Sequence, residues 1–365
     1  MRLGVRIVWT AVRSYTGGKT SAKGSGTMSS HDYNRYCVDV PGGQLSVGVW
    51  EPVASGPGRV PTVCVIHGIT SNHLFFAGLV SALPGVRIIG PDLRGRADSR
   101  TLPGPFGMAA HAQDVTAVLD AFAPEGPVTL VGHSMGGFVA MTLAGTAAEQ
   151  NIDTGAEAAR RFRGPILIDG GLPLPVGQSH GDGPVDDLHD EDLDTDDLIA
   201  AVLGPAAERL SMTFGSVEEY LAFFAAHPAF VDGLDTVATE SFVYDLAAKD
   251  DHSFQPSTSV EAMQADSADM YTGSDYREAL ETLVGSDDSQ SEVVFLFAER
   301  DLVAAEPGLY PPELTEDFAR QWPQMDIVDV PGTNHYDILL TETGIDACAA
   351  AVTSRIGAET DGAVE

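Results

Sequence analysis

A chain of 365 residues is long enough for one large core, or for a core interrupted by an insertion, and too long for a peptide hormone or disulfide knot. Its 44% hydrophobic and 20% charged residues are ordinary globular usage, which argues against wholesale disorder. Asp plus Glu number 53 against 20 Lys plus Arg, and a net charge of −33 repels nucleic acid and anionic membrane surfaces.

Only Lys19, Lys23 and Lys249 are lysines, a balance that fits either a salty cytoplasm or a generally acidic proteome. Cys37, Cys64 and Cys348 are odd in number and read as free thiols in a reducing compartment. The apolar stretch from Ile7 to Val12 is bounded by Arg6 and Arg13, too short for a secretory segment, so the expectation is a cytoplasmic protein with no membrane span. Residues 1–27 carry five basic side chains and no acid, and read as a disordered tail or an over-extended start ahead of Met28. Gly18-Lys19-Thr20 resembles the end of a phosphate-binding loop, but Arg13 stands where the first glycine is required.

From Tyr36 the chain alternates β and α. Tyr36 to Val40 and Gln44 to Trp50 flank the turn Pro41-Gly42-Gly43 and read as a hairpin. Thr62 to Ile66, Val86 to Ile89, Val128 to Val131 and Pro165 to Ile168 are short apolar runs expected of strands buried on both faces. Helices are expected between them at Phe75 to Leu83, Met108 to Phe122 and Met135 to Ala148, giving an α/β fold with a mostly parallel sheet. After Gly170-Gly171 the pattern turns helical until about Ser291, with Leu198 to Met212, Val260 to Met270 and a capping box at Ser216 and Glu219. Strands resume at Val293 to Phe297 and Ile327 to Val330. The expected organisation is a core of 28–171 and 292–365 with a helical cap at 172–291 inserted over one end of the sheet. The nine acids between Asp182 and Asp197 lack the pattern of a calcium loop and read as a solvated linker leading into the cap. No metal or other cofactor is expected.

Gly132-His133-Ser134-Met135-Gly136 lies between a strand and a helix, the context in which G-x-S-x-G forms a nucleophile elbow. A sharp turn there projects the Ser134 hydroxyl above the sheet edge, beside a helix N-terminus that favours developing negative charge. On this motif and its context the chain resembles the α/β-hydrolase superfamily, over about Tyr36 to Arg355. His67-Gly68-Ile69-Thr70 resembles the family's oxyanion loop, which implies that the N–H groups of Ile69 and Met135 hold the oxyanion. Asp92 to Ser99 resembles the D-x-R-G-x-G-x-S run, with Ala97 in place of a glycine.

The family order of nucleophile, acid and base implies that His335, after the strand ending at Val330, is the base. His67 and His133 lie in loops with other work, and His73, His111 and His227 read as packing or cap residues. For the acid, Asp301 matches the usual position and is preferred, Asp169 at the end of the preceding strand is the alternative, and Glu299 is a third option. The implied activity is hydrolysis of carboxylic esters with small to medium acyl groups. Serine at the elbow argues against dehalogenase and epoxide hydrolase readings, and Gly-His-Ser-Met-Gly-Gly against proline iminopeptidase. Acyl transfer, carbon–carbon hydrolysis, cofactor-free peroxidation and a ligand-binding receptor on the same fold remain alternatives. Phe214, Phe223 and Phe224, in the richest aromatic cluster of the cap region, are the expected acyl-pocket residues, and glue between cap helices is the alternative.

Overall fold

The structure, a computed structural model, describes residues 30–54, 58–124, 126–154, 161–175, 206, 208–284 and 293–357. The basic segment before Met28, the acidic run from Asp182 to Asp197 and most of the helix expected from Leu198 lie outside these residues.

The hairpin forms as β1 (His31–Val40) and β2 (Gly43–Pro52), antiparallel with Val40 opposite Gly43. Next come β3 (Thr62–Ile66), α1 (Ala77–Ala82), β4 (Arg87–Pro91), α2 (Met108–Phe122), β5 (Val128–His133), α3 (Met135–Thr154) and β6 (Phe162–Ile168). The expected helix from Phe75 begins as a 3-10 turn, His73–Phe76, capped by the Asn72 side chain on the Leu74 N–H. After β6 the chain leaves the sheet through α4 (Val217–Ala225), α5 (Thr236–Tyr244), the short hairpin β7 (Leu246–Ala248) and β8 (Phe254–Pro256), α6 (Val260–Thr272) and α7 (Asp275–Val284). It returns as β9 (Val294–Arg300), α8 (Pro312–Gln321), β10 (Asp326–Asn334) and α9 (Glu342–Gly357).

The eight-stranded sheet has the order β1-β2-β4-β3-β5-β6-β9-β10, with every pair from β4 to β10 parallel. The alternation of side chains along a strand explains its two-sided burial. In β3, Cys64 and Ile66 pack toward α2 and α3, while Val63 and Val65 join Leu79 of α1 and Val352 of α9 on the opposite face. All parallel strands therefore point their C-terminal ends to one edge, where loops can converge.

The segment between β6 and β9 is tied to that edge by buried polar contacts. Tyr244 of α5 donates to Asp92 Oδ2 at 2.6 Å, and Asn72 Nδ2 donates to the Ser241 carbonyl at 2.9 Å. The Ala97 N–H donates to Ser257 Oγ at 2.8 Å, and the Ser259 N–H to the Gly95 carbonyl at 2.8 Å. At the α4 start, the Ser216 hydroxyl accepts from the Glu219 N–H, while the Glu219 carboxylate takes the Gly215 N–H one residue ahead of the expected box partner.

Candidate active site

Ser134 has a φ of 54°, a left-handed conformation that costs a non-glycine residue energy and is held here by its surroundings. Its N–H donates to the Ile168 carbonyl and its carbonyl accepts from the Gly137 N–H, both at 2.9 Å, closing the turn between β5 and α3. The turn leaves no room for neighbouring side chains. A Cβ at Gly136 would lie 2.0 Å from the Ile66 carbonyl oxygen, and one at Gly170 would lie 2.3 Å from that of Ser134.

His335, 3% exposed, follows the C-terminal end of β10. Its Nδ1 lies 2.6 Å from Oδ2 of Asp169, which is fully buried at the end of β6. A carboxylate only accepts, so Nδ1 carries the proton and Nε2 keeps its lone pair. The other Asp169 oxygen accepts from the Ala298 N–H at 3.1 Å, and the residue holds a φ of 46°. Both Ser134 and Asp169 thus occupy strained backbone at the same sheet edge.

This geometry corrects the preference for Asp301. Its carboxylate accepts from the N–H groups of Val303 at 2.9 Å and Ala305 at 2.8 Å, closing its own turn. The register gives the reason. Ile168 pairs with Leu296, so Asp169 lies level with Phe297, whereas Asp301 is four residues further on, roughly 13 Å at strand rise. Glu299 is exposed and accepts from the Gly332 N–H at 2.7 Å.

The loop carrying His335 is pinned on two sides. Asn334 donates from Nδ2 to Asp337 at 2.8 Å and to the Ala229 carbonyl at 3.1 Å, and its Oδ1 accepts from the N–H groups of Tyr336 and Asp337. His133 donates from Nε2 to the His335 carbonyl at 2.8 Å, with the two ring centroids 4.8 Å apart. Burial, followed by the charge of His335, pushes His133 down to about 3, so it stays neutral when its neighbour is protonated. Neither the position of Asn334 nor that of His133 follows from the local sequence pattern. The adjacency of His133 to Ser134 and of Asn334 to His335 was the available signal.

On the opposite side of Ser134 runs the loop after β3. A Cβ at Gly68 would lie 3.1 Å from Ser134 Cβ and 3.4 Å from its Oγ, so glycine lets this backbone come close. His67 Nε2 accepts from the Leu93 N–H at 2.9 Å, which fixes the proton on Nδ1, and Nδ1 donates to the Gly68 carbonyl at 2.8 Å. That carbonyl belongs to the peptide group whose N–H is that of Ile69, so the histidine orients this donor directly. Burial pushes His67 down to about 4, which keeps it neutral. Met135, the other expected donor, starts α3.

The aromatic cluster packs largely on itself. Phe224 stacks on Phe242 at 3.7 Å and meets Tyr220, Phe223 and Phe230 edge-on. Phe214 packs against Tyr220 and Phe223, and its backbone bridges to Phe254. Phe214 and Phe224, 2% and 7% exposed, are therefore core residues of the inserted segment, and Phe223 is half-buried beside them. Within this cluster Phe230 packs on Tyr336, whose own ring abuts His335 at 5.4 Å.

Comparison with known proteins bears on the fold. Residues 61–156 match a family profile described as alpha/beta hydrolase fold. The chain is similar over its whole described core to E-2-(acetamidomethylene)succinate hydrolase, with a TM-score of 0.62, 19% identity, and coverage of 89% of this chain and 100% of that one. The chain has the α/β-hydrolase fold, with its family signature in residues 61–156. The thioesterase domain from the curacin biosynthetic pathway matches with a TM-score of 0.59, 18% identity, and coverage of 88% of this chain and 98% of that one.

In sequence, 96 residues are 41% identical to lipase LipV of Mycobacterium tuberculosis, covering 26% of this chain and 35% of that protein. A stretch of 91 residues is 36% identical to the pimeloyl-[acyl-carrier protein] methyl ester esterase of Neisseria meningitidis, covering 25% of this chain and 33% of the esterase. The chain thus spans about a third of the length of these curated relatives. No helix among the described residues is long and apolar enough to cross a membrane.

Proposed function

We propose that the protein is a serine hydrolase that cleaves carboxylic esters through an acyl-enzyme, with Ser134 as nucleophile, His335 as base and Asp169 as the orienting acid. The observation that carries the reading is the buried 2.6 Å bond between His335 and Asp169 at the strand edge where Ser134 is held left-handed. Lipase- and esterase-named relatives support an ester substrate, with acyl groups of small to medium size.

In this mechanism Nε2 of His335 removes the Ser134 proton as the oxygen attacks the ester carbonyl. Asp169 holds the ring in the tautomer that leaves Nε2 free and stabilises the imidazolium. The N–H groups of Ile69 and Met135 would hold the oxyanion as its charge develops. His335 then protonates the departing alcohol, activates water and returns the serine. His133 remains neutral throughout, so no second positive charge opposes the imidazolium.

The inserted segment acts as a cap in this reading, fastened to the 92–99 loop and to Asn72. Acyl transfer and carbon–carbon hydrolysis would use the same three residues, and product analysis with water as the sole acceptor separates them. The test is turnover of a p-nitrophenyl ester series of rising acyl length. Wild type should release nitrophenol with a length preference, and Ser134→Ala should lower kcat by ~10⁴-fold or more with the fold retained. Equal rates in the two proteins would overturn the proposal.

A further inference from the structure

Arg96 carries a full charge with none of its surface exposed, and the catalytic steps above do not use it. Its guanidinium branches to four places. Nε donates to the Ile69 carbonyl at 2.9 Å, Nη1 to the Arg94 carbonyl at 2.9 Å, and Nη2 lies 3.8 Å from the Met135 sulfur. Nη1 also pairs with Asp266 Oδ2 at 2.5 Å, and Asp266 belongs to α6 of the inserted segment. Asp266 further accepts from the Gly107 N–H at 2.6 Å and pairs with His111 Nε2 at 2.9 Å. Burial works against this carboxylate's charge, yet His111 and Arg96 outweigh it and hold it at about 2.

One rigid planar group therefore touches both residues expected to supply the oxyanion donors, the loop after β3 through Ile69 and the start of α3 through Met135. We propose that Arg96 is a positioning residue that sets the spacing of the Ile69 and Met135 N–H groups, and that Asp266 of the inserted segment holds its guanidinium in place. A lysine has the same charge but no planar fork, so it can keep Asp266 while releasing Ile69 or Met135. The inference rests on the hydrolase reading above.

The experiment compares Arg96→Lys with Arg94→Lys. Arg94 lies in the same loop and makes a buried ion pair with Asp114 at 2.7 Å, touching neither Ile69 nor Met135, and so serves as the control for loop disruption. Each variant is assayed for kcat and KM on a p-nitrophenyl ester, for Ki with a trifluoromethyl ketone whose hydrate-like adduct presents an oxyanion, and for thermal midpoint.

Arg96→Lys should lose ~10²-fold in kcat with KM within about 3-fold, and ketone affinity should fall by a similar factor. Arg94→Lys should lose thermal midpoint while holding kcat and ketone affinity within about 3-fold of wild type. Unchanged kcat and ketone affinity in folded Arg96→Lys, or equal losses in both variants, would overturn the proposal while leaving the hydrolase reading intact. Should Arg96→Lys fail to fold, Arg96→Met combined with Asp266→Asn removes both charges together, and the same kcat loss without a KM change is expected of it. A wild type that neither turns over esters nor binds the ketone would overturn the underlying reading and the proposal with it.

Discussion

Asp169 and Asp301 are separated by what each carboxylate already holds. Asp169 holds His335 and Asp301 holds its own turn. Asp169→Asn should cost ~10³–10⁴-fold in kcat, because an amide no longer fixes the His335 tautomer, whereas Asp301→Asn should cost less than about 10-fold. Kinetics of the two variants check this, and the reverse order would move the acid. Both residues were visible in the sequence at strand ends. The choice between them was not, because it depends on the register of β6 against β9, which no local pattern records. The sharp turn at Ser134 was legible for the opposite reason: it demands glycines within the motif itself.

The buried histidines make a second residue-scale prediction. His67 and His133 are held neutral, at about 4 and about 3, by burial. In the unfolded chain they protonate below pH ~6.5, so their stabilising contribution is full above that value and is lost as pH falls toward the folded values. At pH 5 each costs about 2 kcal/mol. Urea unfolding of His133→Gln at pH 7 and pH 5 should show a smaller acid loss than wild type by about that amount, and an identical loss would contradict the assignment.

At the scale of elements, the strands were legible because burial on both faces gives them unbroken apolar runs, as in the fully buried β3 and β5. Their ends were less so: β4, β6 and β10 all extend into Gly, Pro or polar residues that pair without looking like strand. The inserted segment was legible as helical, but what its inward faces meet was not. Helical spacing puts Tyr220, Phe223 and Phe224 together, and nothing in that spacing says whether they meet a pocket or another helix. Phe224 meets Phe242 of α5, and Phe224→Ala should therefore cost ~3–5 kcal/mol and leave acyl-length preference unchanged. Phe230 is the better probe of whether the cluster sets acyl preference, since of these rings it packs on Tyr336 beside His335 and also touches Phe224. Phe230→Ala should shift relative kcat/KM between short and long esters by ~10-fold, read from the same ester series. A shift from Phe224 and none from Phe230 would reverse these roles.

For the whole molecule, the charge of −33 sets the response to salt. Self-repulsion weakens as the Debye length falls from ~10 Å at 0.1 M to ~3 Å at 1 M, so the thermal midpoint should rise with sodium chloride. Most pairs formed by the few cations do not oppose this trend. Arg96 and Asp266 or Arg94 and Asp114 are buried and poorly screened, while exposed pairs such as Arg35 with Asp98 contribute little at any salt. A midpoint that falls with salt would mean that surface pairing outweighs repulsion. The proposed chemistry turns on the Ser134 hydroxyl, and a fluorophosphonate probe reads that side chain directly. Mass spectrometry of the labelled protein should find one adduct, on the peptide carrying Ser134, absent from Ser134→Ala and much slowed in Asp169→Asn. An adduct on another residue, or none under conditions in which the protein hydrolyses an ester, would contradict it.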